Sequence, residues 1–229
     1  MPTVWVAVDE ADERAVERVL LAIHPHRHIK VGLEVFCRLG PGYVRRLCED
    51  GYDVFLDLKC HDIPRTVGRA VAAVRDLGAK MLTVHAAGGR AMLEAAQAEA
   101  GPMALVAVTV LTSLDEHLLR EMGMGRSPRE WALRLAELAQ GAGLSGVVAS
   151  GDEVAAIRAT WPHARAVVPG IRLVGQAVHD QRRVVTPEVA VNRGATDLVV
   201  GRAITRADNP REALDLVCRA ALRPEKEET

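Results

Sequence analysis

Val54-Phe55-Leu56-Asp57-Leu58-Lys59-Cys60-His61-Asp62-Ile63-Pro64 is an apolar run that ends in charge and then meets a proline. Its first residues suit a pleated, buried surface, and Pro64 suits the first turn of a helix, where a missing N–H costs little. The segment therefore reads as strand, short loop and helix. Side chains alternate along a strand, so Phe55, Asp57 and Lys59 share one face and Val54, Leu56 and Leu58 the other. An aliphatic face that packs under helices, backed by a face that ends in ions, suits a strand of a closed parallel barrel. Charge at the C-terminal end of such a strand reads as catalytic.

The same phasing recurs on either side. In the run before it, His28, Lys30 and Gly32 oppose Ile29, Val31 and Leu33, and near the N-terminus Ala7 and Asp9 oppose Val4, Val6 and Val8. Strands are expected at Val4–Asp9, His28–Leu33, Val54–Lys59, Met81–Ala86, Met103–Leu111, Gly146–Ser150, Ala164–Gly170 and Asp197–Ala203. Helices are expected at Ala11–Ile23, Gly42–Glu49, Pro64–Leu77, Arg90–Ala98, Pro128–Ala142, Glu153–Thr160, Pro187–Arg193 and Pro210–Leu222. Eight strand–helix units in 229 residues predict an α/β protein, a (β/α)8 TIM barrel forming a single domain over 1–223, followed by a charged tail over 224–229. A doubly wound open sheet is the runner-up, but no Gly-x-Gly-x-x-Gly follows the first strand.

Composition narrows the function. Apolar residues make up 49% of the chain, enough for a sizeable core, and the formal net charge of −1 gives no reason to expect nucleic acid or an anionic membrane as partner. No apolar stretch reaches the roughly 20 residues of a membrane span. The N-terminus enters Val4-Trp5-Val6-Ala7-Val8 without a basic leader, so a cytoplasmic protein is expected. Cys37, Cys48, Cys60 and Cys218 form no Cys-x-x-Cys pair and read as reduced thiols. His24-Pro25-His26-Arg27-His28 has closely spaced imidazoles without a neighbouring carboxylate or thiol, so it reads as a solvated loop rather than a metal site.

Only four of the 29 basic residues are lysines, Lys30, Lys59, Lys80 and Lys226. Arginine serves a surface equally well but holds its proton, whereas lysine can transfer one. Lys30 and Lys59, on adjacent expected strands with Asp57 and Asp62, can form an array in which opposite charges keep one another ionised. An ion network that only closes the barrel top would use the same residues. A second constellation, Pro169-Gly170-Ile171-Arg172 with Gly201-Arg202, falls after the last two strands, where barrels of this kind often bind phosphate. The loop from Gly175 to Gln181 is long enough to fold over a ligand.

Asp57-Leu58-Lys59-Cys60-His61-Asp62-Ile63-Pro64-Arg65-Thr66-Val67 resembles the signature of the orotidine 5′-phosphate decarboxylase family. The resemblance extends in order through Lys30-Val31-Gly32, Val84-His85-Ala86-Ala87-Gly88-Gly89, Val108 to Ser113, Pro169 to Arg172, Asp180 to Arg183 and Val200 to Thr205. It implies a cofactor-independent, metal-free decarboxylase that turns orotidine 5′-phosphate into uridine 5′-monophosphate, working as a homodimer with active sites shared across the interface. Lys59 would be the proton donor, with Asp57 and Lys30 beside it and Asp62, Ile63 and Thr66 reaching in from the other subunit. Asp9 and Lys30 would hold the ribose hydroxyls, and Thr112 would lie along the nucleotide. Pro169 would line the pocket. Arg172, Gln181, Gly201 and Arg202 would bind phosphate, with Gln181 also reaching the pyrimidine. His85 is expected to be structural.

Relatives on the same scaffold act on sugar phosphates with magnesium, but they carry a carboxylate where this chain has Lys30, and a cation there opposes metal binding. A Schiff-base aldolase using Lys59 or Lys30 is a different enzyme class, disfavoured because an ammonium flanked by aspartates is a poor nucleophile. A non-catalytic nucleotide-binding protein is the remaining alternative.

Overall fold

A computed structural model describes residues 1–173 and 185–222. Its eight strands close into a parallel barrel in chain order. They are β1 (Thr3–Ala7), β2 (His28–Gly32), β3 (Asp53–Cys60), β4 (Met81–His85), β5 (Ala104–Val108), β6 (Gly146–Val148), β7 (Arg165–Val168) and β8 (Asp197–Val200), with β1 paired to β8. This is the (β/α)8 barrel the alternation predicts. The expected tail over 224–229 lies outside the described residues.

The ring of helices comprises α1 (Glu13–Ile23), α2 (Leu33–Glu49), α3 (Pro64–Arg75), α4 (Gly89–Glu99), α5 (Glu116–Glu121), α6 (Pro128–Gly141), α7 (Gly151–Thr160), α8 (Pro187–Asn192), α9 (Arg202–Thr205) and α10 (Pro210–Ala221). Pro64, Pro128, Pro187 and Pro210 each open a helix, as their sequence positions suggest. Side-chain caps from Asp12, Ser127 and Asn209 fix the starts of α1, α6 and α10.

Two differences from the sequence reading have physical causes. The helix expected at Gly42–Glu49 begins earlier in the structure, at Leu33, and runs on both sides of a kink at Gly40, whose φ of 73° favours glycine. The short α5 and α9 have too few turns to show a helical period.

Strand alternation sorts the core into two compartments. Val4, Val6, Ile29, Val31, Val54 and Leu56 pack outward under the helices. Trp5, Phe55, Met81, Val106, Val167 and Val199 fill the barrel's interior, so the barrel is a packed core rather than a pore. The histidine segment is not a solvated loop throughout. His26 Nε2 lies 2.9 Å from the carbonyl of Val4, and the His28 ring sits 5.3 Å from that of Trp5, both at the N-terminal end of the barrel. Burial pushes the His26 pKa below its usual value. Among the described residues no helix is long and apolar enough to cross a membrane, and no group of His, Cys, Asp or Glu is arranged to hold a metal ion.

Candidate active site

Lys30, Asp57 and Lys59 meet at the C-terminal ends of β2 and β3, together with Asp9 just beyond β1. Lys30 Nζ lies 2.8 and 3.0 Å from the two oxygens of Asp9 and 3.7 Å from Asp57 Oδ2. Lys59 Nζ donates to Asp57 Oδ1 at 2.8 Å. Charges therefore alternate in the order Asp9, Lys30, Asp57, Lys59. Spacing alone proposes Asp62 as the second carboxylate of this array; within the chain that place is taken by Asp9.

The array changes character along its length. Lys30 is buried and Asp57 nearly so, whereas Lys59 and Asp9 are partly open to the barrel mouth. Burial acts to raise the Asp57 pKa, but the charges of Lys30 and Lys59 and the hydrogen bonds from Lys59 and Thr83 outweigh it, so the pKa is lowered on balance. Asp57 is thus held as a carboxylate inside the protein. Gly32 makes room for the array: its N–H donates to Asp9 Oδ1 at 3.0 Å, and a Cβ there would stand 2.3 Å from that oxygen.

Simple alternation does not account for the Asp57–Lys59 pair. The ladder between β3 and β4 runs Phe55–Met81 and Leu56–Leu82, then resumes at Cys60–Val84. Lys59 lies in this irregular stretch with φ of 53°, the only non-glycine positive φ among the described residues. Such a backbone costs about 1–3 kcal/mol and persists where surroundings fix it, often at a functional site. Lys59 N–H donates to Thr83 Oγ1 at 2.8 Å, and Thr83 Oγ1 donates to Asp57 Oδ1 at 3.0 Å. Thr83 escaped the sequence reading. Its signal is a buried hydroxyl on the inward face of a strand, which becomes informative only once the strand pairing is known.

Asp62, Ile63 and Thr66 follow the array in sequence and make none of its ion pairs. All three are exposed at the start of α3; Ile63 is 65% accessible, and the Asp62 carboxylate accepts the Ile63 N–H at 2.6 Å.

At the ends of β7 and β8, Arg172 is 9% exposed and its Nη1 donates to the Ile171 carbonyl at 2.8 Å. Burial and the nearby charge of Arg202 push its pKa below the usual guanidinium value. A buried guanidinium beside a second arginine suits the binding of an anion. Arg202 is exposed and opens α9 rather than closing β8, with Gly201 as the preceding cap. Pro169 and Thr112 are half-buried, in the segment after β7 and in a turn after β5. Gln181 lies outside the described residues.

His85 ends β4 with its ring 5.5 Å from that of His61, and burial, followed by the charges of His61 and Lys59, lowers its pKa. Burial raises the Cys60 thiol.

Residues 2–217 match the family described as "Orotidine 5'-phosphate decarboxylase / HUMPS family". The chain is 46% identical over 209 residues to the orotidine 5′-phosphate decarboxylase of Sphingopyxis alaskensis, covering 90% of this chain and 93% of the relative. It is 48% identical over 218 residues to that of Halorhodospira halophila, covering 93% and 92%. The crystal structure of orotidine 5′-phosphate decarboxylase from Lactobacillus acidophilus superposes with a TM-score of 0.87 at 34% identity, covering 97% of this chain and 99% of that one. Likeness of this extent, in fold and in sequence from the first strand to the last helix, places the chain in the orotidine 5′-phosphate decarboxylase / HUMPS family.

Proposed function

We propose that this protein decarboxylates orotidine 5′-phosphate to uridine 5′-monophosphate and carbon dioxide, the last step of de novo pyrimidine nucleotide synthesis. The observation that carries the reading is the Lys59 ammonium, held at 2.8 Å by a carboxylate whose other side faces Lys30.

Breaking the bond to the carboxylate leaves an electron pair on the ring carbon, with no adjacent sink. Lys59 Nζ stabilises that pair electrostatically and then gives it a proton, so carbon dioxide leaves and a carbon–hydrogen bond replaces the carbon–carbon bond. Asp57 keeps the ammonium aimed. Asp9 and Lys30 hold ribose hydroxyls, with Thr112 along the nucleotide and Pro169 lining the pocket. Arg172, Gly201 and Arg202 take the phosphate, and Gln181 joins them while also reaching the pyrimidine. Binding energy from the phosphate, far from the reacting carbon, is then available to lower the chemical barrier.

Asp62, Ile63 and Thr66 complete the site of a second subunit in a homodimer. Their exposure at the start of α3, and the lack of any ion pair from Asp62 to the lysines of its own chain among the described residues, support this assignment. His85 is structural. No cofactor or metal takes part: the Lys30 ammonium already occupies the carboxylates of Asp9 and Asp57 that a divalent ion would need. The protein works in the cytoplasm, with a decarboxylase domain over 1–223 and a charged tail over 224–229. Purified, chelator-treated protein added to orotidine 5′-phosphate should lower the substrate's absorbance and release carbon dioxide. Absence of turnover, or turnover only after magnesium is added, would overturn the reading.

A further inference from the structure

Thr83 lies in the middle of β4, fully buried, and its single hydroxyl is engaged twice by the charged end of β3. A backbone N–H can only donate, so the 2.8 Å contact from Lys59 N uses a lone pair of the hydroxyl. A carboxylate can only accept, so the hydroxyl proton goes to Asp57 Oδ1, 3.0 Å away. That same Oδ1 receives Lys59 Nζ at 2.8 Å. The three bonds close a ring in which Lys59 is gripped at its main-chain nitrogen and at the tip of its side chain.

The ring sits where the ladder fails. From Leu56 to Cys60 β3 advances four residues while β4 advances two, from Leu82 to Val84, so Thr83 faces the surplus. The bulge takes the Lys59 amide away from the strand carbonyls, and the Thr83 hydroxyl replaces them. It thereby supports a left-handed backbone that a lysine seldom adopts.

We propose that Thr83 is the positioning residue that aims Lys59 Nζ, acting through the Lys59 amide and the Asp57 carboxylate rather than on the substrate. The proposal rests on the reading of Lys59 as proton donor. It goes beyond that reading by locating the cause of the lysine's direction in one hydroxyl on the next strand.

The test compares Thr83→Val, which keeps the shape and removes the hydroxyl, with Thr83→Ser, which keeps the hydroxyl. Turnover of orotidine 5′-phosphate should fall about a hundredfold in kcat for T83V, with KM within about threefold, because a donor displaced by an ångström loses that much. T83S should stay within about threefold of wild type. Wild-type kcat in T83V, or a loss in T83S as deep as in T83V, overturns the proposal; the second result would assign the effect to methyl packing. A second readout needs no turnover. The free proteins are treated with an amine-acylating reagent, and Lys59 labelling is measured by peptide mass spectrometry relative to exposed Lys80. Released from its ring, Lys59 should label several times faster in T83V and at the wild-type ratio in T83S; an unchanged ratio in T83V overturns the proposal. Should wild-type protein prove inert towards orotidine 5′-phosphate, the decarboxylase reading falls and the labelling ratio still decides Thr83. If T83V does not fold, Thr83→Ala is read in the same two assays, and wild-type values there overturn the proposal equally.

Discussion

Arg165 holds Asp197 through two nitrogens, Nη2 to Oδ1 at 2.5 Å and Nε to Oδ2 at 3.2 Å, at the end of the barrel opposite Lys59. Both residues begin their strands, β7 and β8. Asp197 is 1% exposed and also accepts Trp5 Nε1 at 2.8 Å and Thr196 Oγ1 at 2.7 Å. This carboxylate joins the first strand to the last two, where the barrel closes.

Asp197→Asn should therefore cost stability and spare chemistry. Removing one partner of a buried pair costs about 3–5 kcal/mol, and the partial exposure of Arg165 reduces this to about 2–4 kcal/mol. Urea denaturation measures the loss, while kcat of the folded fraction should be unchanged. A loss below about 0.5 kcal/mol would show that the clamp contributes nothing measurable.

Lys59→Ala should remove at least a thousandfold of the turnover, about what a proton donor that also stabilises charge supplies. Its far-ultraviolet circular dichroism and elution volume should match wild type. Near-normal turnover in the alanine variant would end the assignment of Lys59.

Arg202→Ala should weaken binding of uridine 5′-monophosphate about tenfold to a hundredfold, the worth of a charge-assisted contact, and leave uridine binding nearly unchanged. Equal losses for nucleotide and nucleoside, measured by calorimetry, would rule out a phosphate contact at Arg202.

Mixing Asp62→Ala with Lys59→Ala protein should recover about a quarter of wild-type activity, because a random half of the twofold dimers then carry one intact site. No recovery, once subunit exchange has been verified with tagged chains, would place Asp62 outside the shared site.

The lowered pKa of Asp57 links the site to acid stability. Its folded-state pKa lies below the ordinary carboxylate value, so its contribution is fully present above that ordinary value and is lost as pH falls through the lowered one. The stability difference between wild type and Asp57→Asn should be constant near neutrality and shrink as pH drops below about 4. A difference that grows on acidification would contradict the sign of the shift.

The legible and illegible parts of this protein divide by range. Phe55, Asp57 and Lys59 declare a face through alternation, and Pro64 declares a helix start, because both signals lie within a few residues. The Arg165–Asp197–Trp5 clamp joins residues up to 192 positions apart, and no local pattern announces it. Asp9 reads as the last residue of a strand, on the face it shares with Ala7, and only the pairing of β1 with β2 brings its carboxylate to Lys30. Alternation also gives the right neighbours for an incomplete reason: Lys59 meets Asp57 through a left-handed backbone and a slipped ladder, which residue types do not encode by themselves.

Asp9, Lys30, Asp57 and Lys59 alternate in sign, so together they carry no net charge. Beyond about 8 Å, the screening length at physiological ionic strength, an approaching dianion feels little from them. On the proposed reading, the charge it meets instead is the phosphate site at Arg172 and Arg202, at the ends of the last two strands. With those arginines holding the phosphate as proposed, capture of substrate should be salt-sensitive. Proton delivery, on the proposed assignment of Lys59, should take place among charges that cancel one another and be nearly indifferent to salt. Ionic strength thus becomes a dial that separates arrival from reaction within one small pocket.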